Sequence, residues 1–246
     1  MSDAFLSQTI TISTEDGEIE AYAALVQDSA PRGGVVVIHH MPGYDLESKE
    51  IVRRFASMGY NAVMPNLYHR DAPGAAPDDA AAAARAKGGV PDERLVIDVT
   101  AGAAYLRALP NSNGKVGTIG YCSGGRQSVL AAIEVDVDAA VDCYGAFVTG
   151  VVPEGFPLKV RPLGERVKGV RCPILGLFGK DDQYPTQDQV AELEQLLKDG
   201  GKEYEFHSYE GAGHAFFAVD RPAFRPEAAK DGWAKIAAFY GKHLGA

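Results

Sequence analysis

The chain has little cysteine, no concentrated basic patch and no apolar run long enough to cross a bilayer. Each shortage excludes a class of protein. Three cysteines in 246 residues leave one over from any pairing, which argues against a disulfide framework and for a reducing compartment, the cytoplasm. Aspartate and glutamate number 33 against 24 lysines and arginines, a net charge of −9, and the basic residues are scattered from Arg32 to Lys242. An acidic surface repels nucleic acid and anionic membrane alike, so neither is an expected partner. The run Val35–Ile38 stops at two histidines, far short of the roughly 20 apolar residues that span a membrane. Met1–Ile10 has neither the basic start nor the apolar stretch of a leader. What remains is an apolar fraction of 46%, enough at this length to bury a sizeable core.

The hydrophobic pattern alternates between two periods. Gln8–Ser13 alternates polar and apolar, and Asp16-Gly17 turns the chain into Glu18–Leu25, which predicts an antiparallel hairpin with one wet face. From Val35 onward the pattern is strand, helix, strand. The continuous apolar run Val35–Ile38 is that of a strand covered on both faces, and Asn61–Met64 reads as another short buried strand, ended by Pro65. Further strands are expected at Lys115–Ile119, Ala139–Cys143, Pro173–Phe178 and Glu203–Tyr209. Helical spacing predicts helices over Ser48–Met58, Glu93–Leu109, Gln127–Ile133, Gln187–Lys198 and Ala229–His243. Two stretches, Asp71–Gly89 and Gly145–Val170, read as irregular excursions. With no repeat, linker or composition shift, the expectation is one α/β domain over residues 1–246. Its mostly parallel central sheet carries helices on both faces and an N-terminal antiparallel hairpin.

In such sheets ligands sit beyond the carboxyl ends of the strands, so the residues just after each strand matter most. After Lys115–Ile119 comes Gly120-Tyr121-Cys122-Ser123-Gly124-Gly125. This strand–turn–helix pattern is a nucleophile elbow with cysteine at its centre. The flanking glycines are needed where side chains would collide with strand and helix. The sulfur then stands at a helix N-terminus, which favours the reactive thiolate. After Pro173–Phe178 comes Gly179-Lys180-Asp181-Asp182, and after Glu203–Tyr209 comes Gly211-Ala212-Gly213-His214. Nucleophile, acid and histidine thus follow one another in the chain order of α/β-hydrolases. Either aspartate suits the acid; Asp182 is preferred because it lies three residues past the strand-end glycine. An oxyanion hole needs two backbone N–H groups, and Ser123 and Met41 are placed to supply them, while Pro42 has none to give.

On these residues the chain resembles the dienelactone hydrolase family, the carboxymethylenebutenolidase-like branch of the α/β-hydrolases. The resemblance rests on Gly120–Gly125, on Gly211-Ala212-Gly213-His214-Ala215-Phe216 and on the segment Met64–Gly74, and extends from about Val35 to His243. It implies an α/β-hydrolase fold and a carboxylic ester hydrolase. Cys122 would be the nucleophile, His214 the base and Asp182 the orienting acid, acting without cofactor on lactones and activated esters, notably enol-lactones of aromatic degradation. Two family features differ here. Where dienelactone-specific members carry a glutamate that hydrogen-bonds the resting thiol, this chain has His40. The arginine that follows the catalytic histidine and grips a substrate carboxylate is missing; the nearest is Arg221, and Arg85 is the closest candidate for a second family arginine. An apolar wall of Phe216 and Phe217 is expected in place of the clamp.

Other residues take lesser roles. Tyr121 and Tyr144 are placed to line the pocket, with His40, Arg85 and Phe216 as further substrate contacts. Cys143 and Cys172 read as small core residues, and Trp233, Phe239 and Tyr240 as the packed face of the last helix. No metal site is expected, because His39 and His40 are neighbours on an extended chain and point apart. The expected partner is a small lactone or ester, bound by a monomer or small homo-oligomer. The competing expectations are a redox-sensing thiol on the same scaffold and a family esterase with a substrate other than dienelactone.

Overall fold

Residues 4–245 are described by the computed structural model, in which strands and helices alternate along the chain. The strands are β1 (Phe5–Thr14), β2 (Gly17–Val26), β3 (Arg32–Ile38), β4 (Asn61–Pro65), β5 (Ser112–Tyr121), β6 (Ala139–Cys143), β7 (Ile174–Gly179) and β8 (Tyr204–Tyr209). The helices are α1 (Leu46–Ser57), α2 (Pro77–Ala86), α3 (Asp92–Arg107), α4 (Ser123–Glu134), α5 (Gln187–Asp199) and α6 (Pro226–His243). One eight-stranded sheet runs β1-β2-β4-β3-β5-β6-β7-β8. The β1–β2 hairpin joins β4 antiparallel, and every pairing from β4 through β8 is parallel.

The unbroken apolar run in β3 follows from its position in the middle of this sheet. Val36 and Ile38 point into a core shared with Leu95 and Val99 of α3 and Leu130 of α4. Val35 and Val37 point the other way, toward Val52 and Phe55 of α1 and Ile236 and Tyr240 of α6. All four are essentially inaccessible to solvent, and each such side chain contributes about 1.5–3 kcal/mol on burial. Edge strand β1 has the opposite character: most of its side chains are exposed or half-exposed, as its polar alternation predicts. No helix among the described residues is long and apolar enough to cross a membrane.

Two expectations need correction. The Asp71–Gly89 excursion contains a full helix, α2, with Pro77 in its first turn, Asp78 and Asp79 at its positive end and Arg85 at its negative end. Pro73 and Gly74 end a turn before it, but the alanine run itself has the highest helix propensity of any residue. Helix α4 starts at Ser123, four residues earlier than its apolar period indicates, because the elbow passes directly into the helix with Gly124 and Gly125 inside it. The Gly145–Val170 stretch is largely irregular as expected, with one 3-10 segment at Gly164–Gly169.

Because β3, β5, β7 and β8 are parallel neighbours or near-neighbours, the loops that follow them open on one edge of the sheet. Ile38 pairs with Gly120, and Gly179 with Tyr209, so the residues after those strands start at the same level. The packing beneath has a clear test. Phe55 is fully buried against the rings of Trp233, Tyr240 and Tyr60. Phe55→Ala is expected to lower unfolding free energy by about 3–5 kcal/mol in chemical denaturation; a loss below about 1 kcal/mol would contradict this packing.

Candidate active site

The turn after β5 is strained in the way its glycines require. Cys122 has φ 57° and ψ −121°, a left-handed conformation rare for a side-chain-bearing residue. A Cβ on Gly120 would lie 1.8 Å from the Gly124 carbonyl oxygen, and one on Gly124 would lie 2.3 Å from that of Ile38. Neither space holds even a methyl group. The turn is pinned by Cys122 N–H donating to the Cys143 carbonyl at 3.1 Å and Gly125 N–H donating to the Cys122 carbonyl at 3.0 Å. Cys122 is half-buried at the start of α4, whereas Cys143 and Cys172 are buried. Burial pushes the Cys143 thiol well up and the Cys172 thiol up to about 12, so both suit the packing role expected of them.

The acid and the histidine are brought together by the loops after β7 and β8. Gly179 permits this, because a Cβ there would stand 2.3 Å from the Ala212 carbonyl oxygen. Asp181 N–H also donates to that oxygen at 2.9 Å. The Asp182 carboxylate is buried and lies 2.9 Å from His214 Nδ1 through Oδ2, while its Oδ1 accepts the Tyr184 N–H at 2.8 Å. Asp181 is exposed. Burial pulls the His214 imidazole down, but the Asp182 carboxylate and the Cys122 sulfur outweigh it and hold it up to about 10. The Tyr144 ring stands edge-on to His214 at 5.1 Å.

The third piece, the loop after β3, is braced by residues whose role the sequence did not announce. Leu67 N–H donates to His39 Nε2 at 3.2 Å, so the ring proton is on Nδ1, which donates to the His40 carbonyl at 2.9 Å. Burial pushes His39 down to about 4, so the imidazole stays neutral and keeps both bonds. The Tyr68 hydroxyl donates to the Met41 carbonyl at 2.8 Å, and its ring packs edge-on against His39 at 4.8 Å. Gly43, with φ 117°, closes the loop by donating to the His40 carbonyl. The Met41 and Ser123 amides have no hydrogen-bond partner among the described residues, and both residues line the cavity that contains Cys122. The only sequence signal for the brace is a histidine immediately after a fully buried strand.

Two cavities meet at Cys122. The larger, about 1140 Å³, lies between the start of α3, the first turns of α4 and the Phe147–Arg166 stretch. The smaller, about 530 Å³, lies between α1, the Phe217–Arg221 loop and Trp233. His39, Met41, Cys122 and His214 border both. The expected substrate contacts divide. Tyr121, Tyr144 and His40 line the smaller cavity. Arg85 borders neither; it is half-buried in the last turn of α2. Phe216 is fully buried and also borders neither, and its neighbour Phe217 takes the wall position. The two rings stack on each other at 4.7 Å; Phe216 packs against Tyr209 and Phe217 against Trp233 at the cavity wall. Arg221 stands at the rim of the smaller cavity.

Among the described residues, His40, Asp45 and Glu47 form a group whose donor atoms lie within 4.8 Å of one another. His40 Nε2 is already 2.7 Å from Asp45 Oδ2, and the other Asp45 oxygen caps α1 by accepting Ser48 N–H at 2.8 Å. Two of the three donors are thus engaged in holding the loop.

A half-buried thiol on a strained elbow, an imidazole oriented by a buried carboxylate and two free amides at one cavity wall form a site suited to acyl transfer. With the parallel sheet and antiparallel entry hairpin, they define an α/β-hydrolase. The chain belongs to the dienelactone hydrolase family, whose sequence model matches residues 19–244. It is 32% identical over 234 residues to the carboxymethylenebutenolidase of Pseudomonas putida, covering 91% of this chain and 92% of that one. A Methylorubrum extorquens protein with a provisional carboxymethylenebutenolidase assignment is 29% identical over 241 residues, with 96% and 80% covered. A crystal structure provisionally assigned as a Klebsiella pneumoniae dienelactone hydrolase matches with a TM-score of 0.85 at 26% identity, covering 98% of this chain and all of that one.

The brace on the Met41 loop yields a direct test. Tyr68→Phe removes one hydrogen bond worth about 0.5–1.5 kcal/mol and leaves the ring in place. Hydrolysis of an aryl ester is expected to fall about three- to tenfold in kcat, with the circular dichroism spectrum unchanged. An unchanged kcat would show that the loop holds its position without Tyr68.

Proposed function

We propose that the protein is a cysteine-dependent hydrolase of lactones or activated carboxylic esters, in which Cys122, His214 and Asp182 act as one triad. The observation that carries this is the placement of the Asp182-bound His214 and the positive-φ Cys122 on the wall of one cavity. In the attacking form Cys122 has passed its proton to His214, and the thiolate attacks the carbonyl carbon. Charge moves to the carbonyl oxygen, which the Met41 and Ser123 N–H groups receive. As the tetrahedral intermediate collapses, the protonated imidazole gives its proton to the departing oxygen, leaving an acyl thioester and neutral His214.

The second half uses the same groups in the opposite sense. Once the sulfur is acylated its charge is gone, and with it one of the two influences that hold His214 up. The imidazole then accepts a proton from water as that water attacks the thioester. Collapse expels the Cys122 thiolate and releases the carboxylic acid. Water is the only second reactant, and the chemistry needs no metal or cofactor. Activated acyl groups suit this site, because a thiolate is a good leaving group and must not be expelled in preference to the substrate's own.

The Pseudomonas putida relative's name supports lactones as one substrate type. The residues that differ in this chain argue against simple transfer of a dienelactone: His40 is occupied by Asp45, and Arg85 borders neither cavity. A small-molecule substrate of broader ester type fits better.

Two measurements test the reading. Cys122→Ala is expected to abolish turnover of p-nitrophenyl acetate, with a drop of at least about 10³-fold in kcat/KM; full activity in the variant would overturn the assignment. The acylating form carries its proton on His214, and that group's pKa is raised, so kcat/KM is sustained at neutral pH and lost as pH rises through about 10. Asp182→Asn removes the carboxylate that raises it, so the alkaline limb is expected at lower pH. A limb that stays in place would show that Asp182 does not set the imidazole.

A further inference from the structure

The two cavities at Cys122 constrain the substrate more tightly than the triad does. A carbonyl carbon attacked by the sulfur carries two substituents, the acyl chain and the leaving group. In a small lactone these are tied into one ring and occupy one compartment. In an open-chain ester they diverge. Here open space lies on both sides of Cys122 and His214, about 1140 Å³ on one and about 530 Å³ on the other. Either volume falls within or above the range of about 300–1,000 Å³ that accommodates a drug-sized ligand. A single compact ring would leave one side open to water.

The two sides also differ in chemistry. The larger cavity has as many acidic as basic side chains on its walls, Asp92 and Glu134 being paired with Arg126 and Arg166, so it selects on size more than on charge. The smaller is walled by Ile51, Phe217, Trp233, Tyr121 and Tyr144. Its notable polar group is Glu47, whose Oε2 is shielded from solvent and has no hydrogen-bond partner. The nearest cation, Arg221 Nε, is 3.9 Å away, beyond hydrogen-bond distance. His40 and Asp45 on the same segment are bonded to each other. Burial and the neighbouring Asp220 carboxylate, against the opposing pull of His40, hold Glu47 up to about 7, and in either ionisation state it presents an acceptor oxygen.

Building on the hydrolase reading, we propose that the substrate is an open-chain ester with two sizeable arms, held separately in the two cavities. The smaller cavity takes an aromatic or alkyl arm that donates a hydrogen bond to Glu47. The oxyanion amides and His214 sit at the junction of the cavities, where the scissile carbonyl lies. The acyl–oxygen bond breaks there, its oxygen leaves with the proton from His214, and the two products separate into different compartments.

The test compares kcat/KM for four probes on the purified protein: p-nitrophenyl acetate, a five-membered enol-lactone, phenyl hexanoate and 4-(hydroxymethyl)phenyl hexanoate. The 4-(hydroxymethyl)phenyl ester is expected to exceed the lactone at least about tenfold, the scale on which hydrophobic pocket contacts discriminate. Ile51→Trp, which fills the smaller cavity, is expected to lower the ratio of the two-armed esters to the five-membered enol-lactone at least about tenfold. Val219→Trp at the exposed rim is a second filling variant that keeps the test open should the first fail to fold. Glu47→Leu is expected to erase the advantage of the hydroxymethyl arm over the plain phenyl arm. A lactone hydrolysed as well as the two-armed esters, with ratios unmoved by the filling variants, would overturn this proposal while leaving the hydrolase reading intact. Failure of wild type to hydrolyse any of the four would overturn both.

Discussion

The site depends on a contact between backbones. Where β5 turns into α4, the chain passes so close to itself and to the end of β3 that only glycine fits at positions 120 and 124. That approach sets Cys122 in its left-handed conformation and starts a helix at the very next residue. A helix N-terminus carries about half a positive charge from its unsatisfied N–H groups, and Cys122 stands at that end as the N-cap residue. The same contact holds the loop after β3 beside the elbow, so the Met41 and Ser123 amides border one space. Strain in one residue is therefore over-determined by a sheet whose central strands are buried on both faces.

Around that fixed point the electrostatics form a chain of dependence. Asp182 is buried and tied to Tyr184 as well as to His214, so it cannot turn away when the imidazole changes charge. His214 is raised, against the pull of burial, by two neighbours, Asp182 and Cys122, and in the proposed reaction the second influence is lost on acylation. A single histidine can therefore serve as acid in one half of a reaction and as base in the other without any movement of the scaffold. His39 is the counterexample a few residues away: equally an imidazole, it is pushed down by burial and locked between two backbone groups. It shapes the site and takes no charge.

Much of this was legible in the sequence because the signals are local. The unbroken apolar run Val35–Ile38 marks a doubly covered strand, and Gly120 and Gly124 around Cys122 mark a turn that no other residues permit. Asp182 was separable from Asp181 by its distance from Gly179. What was not legible depends on distant partners. The α2 helix was obscured because Pro73, Gly74 and Pro77 argue for a loop while the alanines argue for a helix, and the alanines prevail. Phe216 and Phe217 are adjacent and chemically alike, and only packing against Tyr209 and Trp233 decides which one reaches the cavity. The Tyr68–Met41 brace and the smaller cavity bring together segments far apart in the chain, with no motif to mark them. The resemblance offers Arg85 as a second family arginine, but in the last turn of α2 it borders neither cavity.

The central claim is that Cys122 carries the acyl group through the reaction. The most direct measurement is mass spectrometry of the intact and digested protein, quenched in acid during turnover of a slowly deacylating aryl ester. The peptide containing Cys122 is expected to gain the mass of the acyl group, the adduct to be lost on addition of hydroxylamine, and no other peptide to be labelled stoichiometrically. Turnover with no adduct on Cys122, or a stoichiometric adduct on another residue, would contradict it.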